Sequence, residues 1–173
     1  MSCPDNDEMD VHVVCRKLDK DGKALVQVNI PFEALPKGTT EQGVPDTNIF
    51  KYIGPNGRLR ASQRKLGKNP TLSEEQVLLR APAVAWHSHE RETEAKIPPG
   101  EVVCLDIPLW ATGMFFKPGE SIRFEVKGHE VTLPEFPRLY RKFENLNKGK
   151  HVIHTGGEYP SSITLSLSQG KDK

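Results

Sequence analysis

The sequence predicts an all-β fold, a β-sandwich or jelly roll, on three observations. Short runs with apolar residues at every second position recur along the 173 residues. Turn chemistry separates them, with 14 Gly and 14 Pro dispersed through the chain. No window sustains the three-to-four-residue apolar spacing of a long helix. Residues 107–126, IPLWATGMFFKPGESIRFEV, combine these features as a strand, a loop, a turn and a second strand. Pro118 pre-sets φ at the first central turn position, and Gly119 accepts a positive φ at the next. Ile122, Phe124 and Val126 then alternate inward against Arg123, Glu125 and Lys127.

From the N-terminus, an acidic, Pro-containing leader precedes two β-prone runs at 10–18 and 24–30. Residues 19–22 (DKDG) between them supply hairpin-turn chemistry. Residues 31–48 form a long aperiodic connection. Residues 49–53 are a weak strand and 54–57 (GPNG) a turn. Residues 58–65 alternate Leu59, Ala61 and Gln63 against Arg58, Arg60, Ser62 and Arg64, a strand with a basic outer face. Overlapping capping signals in 71–76 (TLSEEQ) predict one short helical turn. Further strands are expected at 84–89 and 101–109, separated by the Pro98-Pro99-Gly100 turn. Residues 133–149 read as irregular, and 162–168 close the chain with Ile163, Leu165 and Leu167 on one face.

The length suits a single domain, residues 1–173. A net charge of +1 removes the global electrostatic argument for nucleic acid or an anionic membrane as partner. No apolar run is long enough to span a bilayer, and the acidic leader is the opposite of a signal peptide. A cytoplasmic protein is expected. Cys3, Cys15 and Cys104 are odd in number and lack CxxC spacing, so neither a disulfide framework nor a zinc knuckle is indicated.

No serine lies in a G-x-S-x-G elbow, so no catalytic residue is assigned. His87 and His89, two apart on an expected strand, share a face and could chelate a metal with Glu94. The spacing resembles the first cupin motif, but the histidine expected after the Pro118-Gly119 turn is missing and Ala81 stands where a Gly is required. No cofactor is expected, and the metal site remains the weaker alternative. Arg58, Arg60, Arg64, Lys65 and Lys68 form a basic cluster without interleaved aromatics, read as a solvated or partner-facing strand edge. Trp86, Trp110, Tyr140 and Tyr159 offer platforms for carbohydrate, although Trp110 equally suits a core or interface anchor.

Six segments, 9–22 (MDVHVVCRKLDKDG), 57–64 (GRLRASQR), 99–103 (PGEVV), 107–113 (IPLWATG), 116–120 (FKPGE) and 151–157 (HVIHTGG), occur in an order that resembles the C-terminal domain of X-Pro dipeptidyl-peptidase and cocaine-esterase-like (CocE/NonD) serine hydrolases. The resemblance implies a jelly-roll sandwich of the galactose-binding-like type, here lacking its first strand or strands. It also implies a missing partner, the α/β-hydrolase domain that holds the Ser-Asp-His triad and cleaves amide or ester bonds. The expected role is that of a non-catalytic accessory domain, inactive alone, which packs on the hydrolase domain, shapes substrate access and supports homo-oligomer contacts. Candidate docking residues in or beside these segments are Arg58, Arg60, Arg64, Trp86, His87, Trp110 and His154. The rival reading is an independent carbohydrate- or metal-binding module.

Overall fold

The computed structural model describes residues 1–47, 49–68, 71–75, 85–131 and 144–167. The strands among these residues are β1 (Asp10–Leu18), β2 (Gln27–Val28), β3 (Lys51–Tyr52), β4 (Asn56–Arg60) and β5 (Ser121–Lys127). An antiparallel sheet runs in the order β4-β1-β5, and β2 pairs with β3 in a second, two-stranded sheet. The described residues are therefore mostly strand and connection, with small antiparallel sheets. Short 3-10 turns lie at Phe32–Ala34, Glu41–Gly43, Ala61–Gln63 and Arg91–Thr93. Residues 74 and 75 are helical where the capping signal falls, and Gln76 lies outside the described residues.

β1 takes the centre because residues on both its faces are covered: Val11 and Cys15 on one, Asp10, His12, Val14 and Leu18 on the other. Its register runs from Asp10 opposite Arg60 to Val14 opposite Asn56 on the β4 side. On the β5 side it runs from His12 opposite Lys127 to Leu18 opposite Ser121.

This placement changes the expected hairpin. The turn forms as its chemistry requires: the Asp19 carboxylate accepts the N–H groups of Asp21 and Lys23 at 2.9 and 2.8 Å, and Gly22 adopts φ +79°. A bridge pairs Leu18 with Ala24, but the ladder stops there because β5 and β4 occupy the two edges of β1. The 24–30 run instead contributes β2, against β3.

The 58–65 run starts as β4, then bends into the 3-10 turn at Ala61. Leu59 and Ala61 are buried, as the alternation predicts, but Ser62, expected on the outer face, is buried too because the chain leaves the strand in this turn. Residues 101–109 form no ladder; isolated backbone bonds hold them, such as Val103 N–H to the Met1 carbonyl at 2.9 Å. The 84–89 run is reduced to a bridge between His87 and Leu66, with Val84 outside the described residues. Residues 162–167 form no ladder either, and Ile163, Leu165 and Leu167 are exposed. Within the 133–149 segment, residues 133–143 lie outside the described residues.

The N-terminal segment, read as a leader, is part of the core. Cys3 and Met9 pack with Val11, Ala61, Ile97 and Val103, against Met1, Leu105 and Ile107. Acidic residues mask this from composition, because the core here admits carboxylates that are fully engaged. Glu8, 2% exposed, accepts the amides of Met9 and Ser62 at 3.2 and 3.0 Å and the Lys96 ammonium at 2.9 Å. Asp10 takes a two-pronged bond from Arg60, at 2.8 and 3.1 Å, and the Leu146 amide at 2.7 Å. The Asn147 side chain closes both polar groups of the Asp10 backbone, accepting its N–H at 2.7 Å and donating to its carbonyl at 2.8 Å. One strand end thus binds β4 and residues 146–147 together.

Burial pushes both carboxyls up, but their hydrogen bonds outweigh it: those from Ser62, Lys96 and Met9 hold Glu8 below the ordinary range, and those from Arg60 and Leu146 do so for Asp10. Groups with depressed folded-state values contribute stability that is complete above their unfolded values, about pH 4, and that disappears as pH falls through the folded ones. Urea unfolding should therefore show a midpoint whose steepest fall lies below about pH 4, preceded by a shallower decline below about pH 6.5 because buried His12 resists protonation. Asp10→Ala, measured at pH 7, should cost about 3 kcal/mol, since it leaves a partly buried guanidinium and an amide unpaired.

Candidate docking site

β1 and β4 place His12 directly opposite Arg58. Next to this pair the chain of residues 107–110 crosses the start of β4. Gly57 makes the crossing possible, because a Cβ there would overlap the Pro108 carbonyl oxygen. The Trp110 amide then donates to the Asn56 carbonyl at 3.0 Å, which fixes the backbone while the side chain stands 72% exposed. Trp110, Arg58, Asn56, His12 and Glu130 border a concavity of about 230 Å³.

Burial holds the His12 imidazole below its ordinary range, against the upward pull of Glu130 and Asp10. The concavity therefore has a neutral histidine in its wall at pH 7, and its charge comes from Arg58 and Glu130. An exposed indole flanked by one cation and one anion is an anchor for a partner surface with its own polar rim. A second concavity, about 430 Å³, lies between Tyr52, Ile53, Met114 and Phe115 and contains none of the candidates.

The other candidates go elsewhere. Arg60 is clamped by Asp10, and Arg64 donates from Nη1 to the carbonyls of Ala61 and Ala95 at 3.1 and 2.6 Å. Lys68 pairs with Glu74 at 2.9 Å. The basic cluster is thus divided among separate local contacts. Trp86 is half-buried; its carbonyl accepts the Gly67 amide at 2.7 Å, and its ring N–H has no acceptor among the described residues. His154 binds the Ser2 hydroxyl through Nε2 at 2.8 Å and lies 5.1 Å from the Tyr159 ring, tying the 152–159 segment to the N-terminus. Ser2 in this pair is buried.

His87 and His89 do approach, with ring centroids 6.0 Å apart, but edge to face. His89 has φ +51°, which breaks the strand alternation on which the chelating geometry depends. His87 Nε2 is bonded to the Asp106 carbonyl at 2.8 Å. Among the described residues no three His, Cys, Asp or Glu side chains, Glu94 included, form a group that could hold a metal ion.

Sequence reasoning missed Glu8, Asp10, His12 and Asn147, which build and support this region. The only hint was an acidic residue two before or at the start of an apolar alternation, a pattern surface strands share. Phe115, which lines the second concavity, is 78% exposed.

The chain matches, over residues 1–164, the family described as the X-Pro dipeptidyl-peptidase C-terminal non-catalytic domain. Two crystal structures of a CocE/NonD family hydrolase from Staphylococcus aureus, one at 1.95 Å, are similar to it at 29% sequence identity. Their TM-scores are 0.54 and 0.53, over 78% and 76% of this chain. The match covers only 19% of the hydrolase chain in each case. No curated protein matches the sequence.

Gly57→Ala should displace the 108–110 segment, lowering stability by about 1–3 kcal/mol and changing Trp110 emission. Chemical unfolding with parallel fluorescence spectra checks both effects.

Proposed function

The chain belongs to the X-Pro dipeptidyl-peptidase C-terminal non-catalytic domain family, and from that premise we propose that it is an accessory domain that docks on an α/β-hydrolase catalytic domain through the Trp110–Arg58 concavity. The observation that carries this is Trp110 itself, 72% exposed although its backbone is hydrogen-bonded to β4. Leaving an indole in water forgoes about 1.5–3 kcal/mol of burial, which a covering partner recovers.

Several finer features go with this reading. The three- and two-stranded sheets belong to a jelly-roll sandwich of the galactose-binding-like type, and residues 1–173 form one domain. The hydrolase partner supplies the nucleophile and cleaves amide or ester bonds, while this domain shapes the approach to its active site. Support for a purely accessory role comes from the family's description as a non-catalytic domain, and His87 and His154 are hydrogen-bonded to the Asp106 carbonyl and the Ser2 hydroxyl. Three free cysteines, two of them buried, suit the reducing cytoplasm. Neither nucleic acid nor membrane is a partner in this proposal: the net charge is +1, and the basic residues are dispersed.

Docking is testable with the catalytic domain of the staphylococcal relative, prepared without its C-terminal region. Titration of that domain with this chain should bury Trp110, seen as a blue shift of its emission. Trp110→Ala and Arg58→Glu should each weaken binding about tenfold or more. Binding that both variants leave unchanged would remove the concavity from the interface. Calorimetric heats with simple sugars, lost in Trp110→Ala, would move the chain to the carbohydrate-binding reading instead.

A further inference from the structure

We propose that β5 is a self-complementary edge strand through which two copies of this chain pair, extending the β4-β1-β5 sheet across a two-fold axis at Phe124. This inference stands on β5 alone and is independent of docking at Trp110.

The free edge follows from the ladder. Cys15 donates its N–H to the Pro55 carbonyl at 2.8 Å, and a Cβ at Gly54 would overlap the Cys15 carbonyl oxygen. Both polar backbone groups of Cys15 therefore point toward the β4 side. Cys15 is opposite Phe124, so Phe124 sits in a non-hydrogen-bonded pair with β1. By the alternation of an antiparallel ladder, Ile122, Phe124 and Val126 turn their N–H and C=O groups to the outer edge. Among the described residues no strand takes that edge. Ile122 and Val126 on it remain 37% and 42% exposed, although the alternation marks them as inward residues. Phe115 and Phe116, also exposed, add apolar surface, with Phe116 beneath the Lys17 ammonium at 5.5 Å.

The occupant is argued from the strand's own order of charges. In an antiparallel pair centred on Phe124, Ile122 of one copy is opposite Val126 of the other, and Phe124 meets Phe124. Arg123 meets Glu125 on the opposite face, twice by symmetry. Among the described residues these charges are unbalanced: Glu125 serves Arg16, Arg123 and Lys127, at 3.3, 2.7 and 3.0 Å. Arg16 and Arg123 are also direct cross-strand neighbours of like charge. A second copy brings a second Glu125 to Arg123. Opposite charges, an aromatic pair and branched apolar pairs are the combinations that stabilise antiparallel neighbours, and closure of the pair leaves no open β5 edge.

Arg123→Glu separates pairing from folding. Within the chain it gives up the Arg123–Glu125 ion pair but replaces the like-charge pair with Arg16 by an opposite-charge pair, two effects of opposite sign at a half-exposed position, so thermal stability at high dilution should change little. Across the axis it sets the introduced carboxylate against Glu125 twice. Sedimentation velocity from micromolar to millimolar concentration should show wild type passing from one chain to two. Arg123→Glu should associate about tenfold or more weakly. Mixing Arg123→Glu with Glu125→Arg should restore a heterodimer, because each copy then meets its opposite charges. A wild type that stays monomeric throughout, as it would if the edge is kept for another segment or for the hydrolase domain, overturns the proposal. So does an Arg123→Glu variant that dimerises like wild type.

Discussion

The Asp10 carboxylate is the contact from which the rest of the arrangement can be traced. It lies at the first residue of the central strand, where Arg60 grips it from the last residue of β4 and the Leu146 amide reaches it from a segment distant in sequence. Asn147 satisfies the backbone beside it. A buried carboxylate is tolerated only when such donors are supplied, so the requirement to satisfy it constrains three chain segments at once. β1 is then held in one register between β4 and β5. A one-residue slip would exchange its faces, carrying Val11 and Cys15 away from the core.

That register reaches the proposed docking surface. With Asp10 opposite Arg60, His12 falls opposite Arg58 and Val14 opposite Asn56. Asn56 and Gly57 are then in position to receive the 107–110 crossing that presents Trp110. The same strand gives β5 its phase, and so determines which of its residues face outward. Exposed apolar side chains are ordinary when scattered. Here Trp110 borders a polar concavity and Ile122 and Val126 line one strand edge, which is how surfaces awaiting partners are arranged.

Local signals were most legible where chemistry acts over a few residues. The Asp19–Gly22 turn and the Pro118-Gly119 turn, with Gly119 at φ +85°, follow from side-chain acceptors and permitted dihedrals. β5 follows from its alternation. What the sequence left open was competition between distant segments. The run at 24–30 has strand character, yet its expected neighbour is occupied by β5 and β4, so it pairs with β3. The basic residues 58–64 looked uniform, but Asp10 and two carbonyls capture Arg60 and Arg64 and leave Arg58 at the concavity. The burial of Glu8 was hidden because an acidic side chain reads as exposed until Ser62 and Lys96 are brought to it by the fold. The ordered family segments compensated for part of this, since the family they resemble matches residues 1–164.

As a member of a non-catalytic domain family, this chain is proposed to contribute surface and no bond-breaking chemistry. This is tested most directly by incubating the purified protein with X-Pro dipeptide amides and with simple esters, with and without a serine-directed inhibitor. Release at the uncatalysed rate is expected in every case, unchanged by the inhibitor. Turnover proportional to protein concentration and abolished by the inhibitor would contradict it.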